Sequence, residues 1–597
     1  MSNVDMAEPS IHVSAGSRLN PAGSGGGHNG IGKGGSSSTS KRLRRSRPRE
    51  SASVWVILAG VVVVLVLVLG IPVVKLVVAA FSPAGRSAMA GAFANHGETF
   101  WHSIVLGLLV GVCGTFIGFV CAYVQTFVNI PGKHVLHWLT LLPTISPPFA
   151  AATAIITLFG KRGMITNGLF GWEVNIYGLP GLVMVLTMTF TPVAYLNIKG
   201  MFENLDPATF EAASSLGATE FKTLFKVTVP MVLPAMLSSF LVLFVEGIAD
   251  LANPLVIGGD YRVLASQIYF AVAGSGDISG ATGVALVLLV PALTVFFIQK
   301  YWANKHSVVT VTGKPTGSLK PVKALNVIIP MVFIAAMWLL LVLMVYLSLF
   351  IGGFVKILGV DNSFTWDHFT FVQRLGSSAI GTTLMLTLIA APIAAVLALA
   401  IGWLVVRHLP HLGKVLDLWG MLGVAVPGTV LGLGFALAYS QSTVIGDYEI
   451  LPPLAGGLAV GGGAIAIIMV FIARGDPTGQ QAFISALQQI NPQVEEAATS
   501  LGAGPLTVVR KVTLPLMSSA LVTSITYAIT KSMTTITAII FITTPQTKVM
   551  TSQILDEVDA GRFGNAFAYS SLLIILVLIV LGLSNILLGQ LNHSKKA

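Results

Sequence analysis

Two sets of residues in this chain have types and spacings that invite chemistry. The first is Glu246 and Asp250, one helical turn apart in an apolar run, with Asn253 close behind. Residues i and i+4 share a helix face, so the two carboxylates are expected side by side. An ionised group at the bilayer centre costs ~2.5–3.5 kcal/mol on insertion scales, so such groups usually face an aqueous path or one another. Lys531 occupies the place matching Glu246, since 246 + 285 = 531. We expect Glu246, Asp250, Asn253 and Lys531 to line or gate a path through the molecule, where acidic groups suit a hard cation. The competing expectation is a Glu246–Lys531 ion pair that only braces two parts of the chain.

The second set is a motif that occurs twice. Glu211-Ala212-Ala213-Ser214-Ser215-Leu216-Gly217-Ala218 runs on to Lys226-Val227-Thr228-Val229-Pro230. Glu496-Ala497-Ala498-Thr499-Ser500-Leu501-Gly502-Ala503 runs on to Lys511-Val512-Thr513-Leu514-Pro515, at an unbroken offset of 496 − 211 = 285. Each copy lies in a polar stretch between very apolar ones. Pro207 and Pro492 suit the first turn of a short helix, and Asp206 and Asn491 before them are good N-caps. The alanine pairs let a partner's wall approach closely. Glu211 and Glu496 offer a carboxylate for a charge-assisted contact to an arginine. Gly217 and Gly502 let the chain turn back. The bland reading of either copy is an amphipathic helix lying on lipid; two copies at matched positions argue against it. A second echo, Val263-Leu264-Ala265-Ser266-Gln267-Ile268 against Val549-Met550-Thr551-Ser552-Gln553-Ile554, repeats at an offset of 286.

Other candidates carry less. His134 and His137, and His408 and His411 about Pro410, are expected to be interfacial residues rather than a metal site. Cys113 and Cys121 would lie ~12 Å apart along a straight helix, too far for a disulfide. Gly27-His28-Asn29-Gly30-Ile31-Gly32-Lys33-Gly34 nearly matches a phosphate-binding loop, but no Ser or Thr follows Lys33 and no strand precedes it. No nucleotide site is expected in the chain, and no nucleophile–base pair suggests an enzyme.

The elements that must position these residues are membrane helices. Of 597 residues, 54% are hydrophobic and only 10% charged, and the mean hydropathy is +0.83; a soluble domain carries about a quarter charged residues. The apolar runs are continuous and long enough to span a bilayer, and only helices or closed barrels can do so. Six spans are expected at about 54–81, 100–128, 134–159, 179–198, 231–252 and 281–301. Six more are expected at 324–351, 378–406, 412–439, 454–473, 516–542 and 566–591. The net charge of +10 owes much to Lys41, Arg42, Arg44, Arg45, Arg47 and Arg49 beside the first run, which is a positive-inside anchor rather than a sign of nucleic acid. With both termini inside, the inner loops collect the larger share of Lys and Arg, Arg474 counted among them. Both repeated motifs then face the cytoplasm. Six spans per half is even, so the halves are parallel repeats related by an axis along the membrane normal. The expected organisation is a disordered basic tail at 1–53, a first repeat at 54–302 with its motif loop at 204–230, and a linker at 303–323. A second repeat follows at 324–592 with its loop at 489–515, then a short tail at 593–597.

Glu-Ala-Ala, three residues, Gly, then nine residues and a β-branched–x–aliphatic–Pro ending resembles the EAA loop of ABC-importer permeases, and both copies carry it. The resemblance implies a type I importer transmembrane fold, all-α and polytopic, in which Glu211, Ala212, Ala213 and Gly217, and Glu496, Ala497, Ala498 and Gly502, form helices seated in grooves of cytoplasmic ATPase subunits. It implies two such subunits, a homodimer that holds the ATP and Mg, together with a periplasmic solute-binding protein and a place in the bacterial inner membrane. This chain would bind no cofactor and hydrolyse nothing itself. Within the family, the fusion of two repeats is similar to ferric-iron permeases, as are Asp250-Leu251-Ala252-Asn253-Pro254-Leu255-Val256-Ile257-Gly258-Gly259, Val263 to Tyr269, Asn167-Gly168-Leu169 and Asn175-Ile176-Tyr177-Gly178. Fused permeases for thiamine, aminoethylphosphonate or sugar phosphates share the architecture. A major-facilitator-type carrier would also have twelve spans in two parallel halves, but would not need the two repeated loops.

Overall fold

The structure is a computed structural model, and it describes residues 52–94, 97–305, 320–409, 412–445 and 448–594. The basic tail with its glycine-rich stretch, most of the linker, Pro410, His411 and the last three residues lie outside the described residues. Nine described helices are long and apolar enough to cross a membrane. Three further helix pairs qualify only as bent spans. Counting each pair once gives twelve spans, six in each half.

Three of the spans are bent. The third span of the first half breaks by 110° between Lys133–Ile145 and Pro148–Leu169, and that of the second half by 100° between Gly413–Ala425 and Gly428–Tyr439. Proline disfavours the helical conformation in the residue before it and cannot donate to the helix ladder. Accordingly Ser146, Pro147 and Val426 are extended, with ψ of 143°, 143° and 124°. Irregular backbone at membrane depth survives only where protein covers it, and Pro143, Ile145, Phe149, Ala425 and Gly428 are buried. The fifth span of the second half bends by 74° between Val509–Leu516 and Ser518–Thr534.

The fourth span of the second half is displaced from its expected place. Gly461, Gly462 and Gly463 adopt φ of 66°, 62° and 91°, so the first part of the expected run is irregular and the helix proper is Ala464–Gln489. Arg474, assigned above to an inner loop, therefore lies in mid-helix and is buried. The offset of 285 maps it onto Thr189, inside the first half's fourth span, a signal present in the repeat itself.

Close packing rests on small residues. Gly107, Gly111, Gly114 and Gly118 line one face of the second span, Gly97–Phe127. A Cβ on them would meet Ile248, Phe240, Leu243 and Ala194, each under 3.0 Å. Without a hydrophobic drive between helices in lipid, such close approach supplies the packing. In the second half the glycines sit on the other side of the contact: Gly475 and Gly479 face Ala528 and Ser524, with Ala394 and Ala398 of the second span beside them.

The first span of each half packs on the opposite half. In the first half, the helix Ile71–Ala80 lies on Gly428–Tyr439, where Gly434 meets the Pro72 carbonyl and the Tyr439 hydroxyl donates to the Leu67 carbonyl. Conversely, Leu325–Gly352 lies on Gly97–Phe127 and Pro148–Phe159. The exchange ties the halves into one body of helices, leaving two places where function can be sought: the repeated loops and the seam.

Candidate functional site

The two repeated loops fold alike. Pro207–Ser215 and Pro492–Ser500 are nine-residue helices. The Asp206 carboxylate accepts from the Ala208 N–H at 2.9 Å, and the Asn491 side-chain oxygen accepts from the Gln493 N–H at 3.0 Å. Both therefore cap. At the other end, Ala218 N–H donates to the Ala213 carbonyl and Gly217 N–H to the Ser214 carbonyl, matched by Ala503 to Ala498 and Gly502 to Thr499. This paired pattern needs a left-handed residue, and Gly217 and Gly502 supply it at φ of 76° and 85°. Neither helix buries a residue. Leu216 and Leu501, just past each helix, are 88% and 89% exposed. A large apolar side chain is rarely so bare unless another surface covers it.

The two motif glutamates differ in their surroundings. Glu211 is bonded to Lys320 at 2.9 Å, at the end of the linker. Glu220 accepts from the N–H groups of Lys323 and Ala324, and Val322 N–H donates to the Phe127 carbonyl at 2.9 Å. A cavity of ≈ 500 Å³ lies beneath this strap, lined by Tyr123, Phe127, Phe210, Glu211 and Glu220 among others. Glu496 is exposed and has no ion pair among the described residues. In the second loop it is the preceding residue, Glu495, that is engaged, with Arg407 at 2.9 Å.

The intramembrane set divides. Asp250 is 9% exposed and ends the helix Val229–Ala249. Its Oδ2 accepts from both the backbone N–H and the side-chain Nδ2 of Asn253, each at 3.0 Å, so it caps the next helix, Ala252–Ile257. Glu246 and Asp250 both line a small cavity of ≈ 40 Å³ at the seam, opposite Pro427, Gly428, Arg474 and Thr537 of the second half. Lys531 is not among its lining residues, and no ion pair joins it to Glu246 among the described residues. Arg474 faces the acids instead. It is 8% exposed, and its Nη1 donates to the carbonyls of Gly423 at 3.0 Å and Val426 at 3.3 Å. Those carbonyls end the helix Gly413–Ala425, where a cation is favoured. Its Nε is buried and has no hydrogen-bond partner among the described residues. Elsewhere between the halves, Lys300 of the first bonds Asp417 of the second at 2.8 Å.

Between the fifth and sixth spans of each half, the second echo also has a shared geometry. Ser266 accepts from the Val263 N–H and donates to its carbonyl, and Ser552 does the same for Val549. In the second copy, buried Glu557 binds Arg562, Asn565 and Gln553. Burial works against its charge, but these bonds and the arginine's charge outweigh it and hold the carboxyl below its ordinary value.

The described residues contain no group of three or more His, Cys, Asp or Glu side chains disposed to hold a metal. His137 bonds the Tyr195 hydroxyl at 2.7 Å, and the His408 ring lies 4.1 Å from that of Trp403.

Comparison with known proteins places this geometry. The family described as binding-protein-dependent transport system inner membrane component matches twice, at residues 114–307 and 394–596. The chain is 30% identical over 492 residues to the ferric transport system permease protein FbpB of Actinobacillus pleuropneumoniae, covering 80% of this chain and 69% of that protein. It is 31% identical over 462 residues to the putative ferric transport system permease protein FbpB 1 of Haemophilus influenzae, covering 75% and 70%. The molybdenum transport system permease protein ModB of Escherichia coli is 23% identical over 214 residues, 34% of this chain but 93% of that protein, as expected where one chain holds two copies of such a unit.

Proposed function

From the premise that the chain belongs to the binding-protein-dependent transport system inner membrane components, we infer that it is the permease of an ATP-driven importer of ferric iron. It is a polytopic membrane protein with the type I importer arrangement of two six-span repeats, and its partners are a solute-binding protein and ATPase subunits. The substrate reading comes from the two ferric permeases that resemble most of its length.

The observation that carries the mechanism is the matched pair of helices, Pro207–Ser215 and Pro492–Ser500, equally capped, equally ended and unburied. We read them as the handles of two identical ATPase subunits. Ala212 and Ala213, and Ala497 and Ala498, let each handle sit deep in a groove. Leu216 and Leu501 lose their exposure there. Glu211 and Glu496 meet cationic side chains, Glu211 exchanging Lys320 for one on the partner. With N- and C-termini inside, both handles are cytoplasmic and the solute-binding protein docks on the other face. ATP and Mg stay on the partners; this chain hydrolyses nothing. Closure of the ATPases draws the handles together, the halves rock about the seam, and the path opens outward. Hydrolysis resets it. At the seam, Glu246 and Asp250 offer negative charge to a hard cation in transit, Arg474 supplies the counter-charge, and Asn253 holds Asp250 in place. Two carboxylates without further ligands hold iron weakly, which suits passage.

The test is uptake of radiolabelled ferric iron into vesicles with ATP and the ATPase subunits inside and the binding protein outside. Replacing both Ala212 and Ala497 by Trp should abolish uptake and ATPase co-purification. Uptake at the parental rate in that variant, or in vesicles without ATPase, refutes the reading.

A further inference from the structure

The second span of each half runs between the handle and the helix opened by the second echo, and both upper joints are built the same way. Ser103 accepts from the Leu264 N–H and Thr383 from the Met550 N–H, each at 2.8 Å. These pairs set the offset of the second spans at 383 − 103 = 280. The lower joints then correspond as well: Phe127 maps to Arg407 by that offset, and Phe210 maps to Glu495 by the handle offset of 285. In the first half Phe127 and Phe210 are in ring contact, centroids 5.6 Å apart. In the second half the same two places hold the ion pair of Arg407 Nε with Glu495 Oε2 at 2.9 Å, both side chains largely buried.

We propose that Arg407 and Glu495 are a positioning pair, a stiff joint that passes the motion of the second handle to the second span and so to the outer side of that half. The proposal rests on the reading of Pro492–Ser500 as a handle. The joint is over-determined. Arg407 Nη2 also donates to the Ile490 carbonyl at 3.1 Å, the last residue before the cap. The Thr513 hydroxyl donates to Glu495 Oε1 at 3.0 Å, so the turn leaving the handle is tied to the same carboxylate. Arg407 itself lies in a widened π-turn, Leu404–His408, at the end of the span; such turns recur at functional sites. A guanidinium fork divided between a carboxylate and a backbone carbonyl fixes direction as well as distance. An aromatic contact fixes distance and tolerates sliding. The first handle lacks the fork and is held instead from outside by the linker, through Lys320 to Glu211 and the Lys323 and Ala324 N–H groups to Glu220. The position of Glu220 in the second copy is Pro505 (220 + 285), which offers no carboxylate. The two handles therefore drive their halves through joints of different stiffness.

The experiment uses the complete importer in vesicles and compares Arg407→Gln with the double variant Arg407→Phe/Glu495→Phe, which transplants the first half's joint. The readouts are ATPase co-purification, basal ATPase activity, and the ratio of binding-protein-stimulated to basal ATPase. Arg407→Gln should keep the complex and its basal activity but lower the stimulated ratio and uptake by about 2- to 30-fold, the range for single residues on a coupling route. The double variant should restore most of the loss, because a joint of either chemistry transmits. An unchanged ratio in Arg407→Gln overturns the proposal. Loss of ATPase co-purification in Arg407→Gln, not restored by the double variant, also overturns it, since the pair would then only fold the handle. The handle reading has its own control: Ala497→Trp alone should weaken co-purification, and if it does not, the premise fails independently of what Arg407 does.

Discussion

Asp250 has two duties that a single substitution can separate. Its carboxylate caps the helix Ala252–Ile257 through Asn253, and its charge lies at the seam with Glu246 and Arg474. Asn at position 250 keeps an acceptor oxygen and removes the charge; Ala removes both. Losing a cap of this kind costs about 0.5–2 kcal/mol. We expect Asp250→Asn to express and melt close to the parent while ferric uptake falls, and Asp250→Ala to lose thermal stability as well. If Asp250→Asn transports at the parental rate, the residue is a cap and nothing more. Arg474 lines the same cavity, one cation against two carboxylates, and its Nε has no partner among the described residues.

At the scale of the element, the handles depend on how their ends are closed. Gly217 and Gly502 hold left-handed conformations, which cost an L-residue roughly 1–2 kcal/mol, more for a β-branched one. Gly502→Val should fray the end of Pro492–Ser500, release the Ala503–Ala498 bond and weaken ATPase co-purification. Gly504→Val, in the same loop with open space around it, is the control that should not. Hydrogen exchange at Gly502 and Ala503 would register the fraying directly. Equal co-purification of the two variants would show that the terminal turn does not matter to docking.

For the whole molecule, the exchange of first spans predicts that the covalent linker is not what holds the halves together. Ile71–Ala80 lies on the second half and Leu325–Gly352 on the first, and Lys300 binds Asp417 across the seam. Chains ending at Lys305 and restarting at Lys320, expressed together, should co-purify as a stoichiometric pair and still recruit two ATPase subunits. Halves that separate in mild detergent would refute this. The linker's end matters elsewhere, in the strap over the first handle, so the split importer should lose transport only to the extent that Lys320 and Lys323 are disturbed.

Periodicity and repetition were enough to set the number of spans, their division into six and six, and the location and capping of both repeated helices. Those features depend on local rules: apolar length, a cap before a proline, a glycine where the chain turns left-handed. The same local reading misplaced Arg474, because a run of apolar residues does not say where three glycines will break it. It also left a Glu246–Lys531 brace open as the alternative to a path, since matched positions in a repeat look like partners. The tertiary structure instead set Glu246 and Asp250 opposite Arg474, and put Arg407 against Glu495 where the first half has two phenylalanines. Which side chains meet across helices depends on the rotation and bending of each helix, and the proline breaks at Pro147 and Pro427 set those through packing between distant segments, which no local pattern encodes.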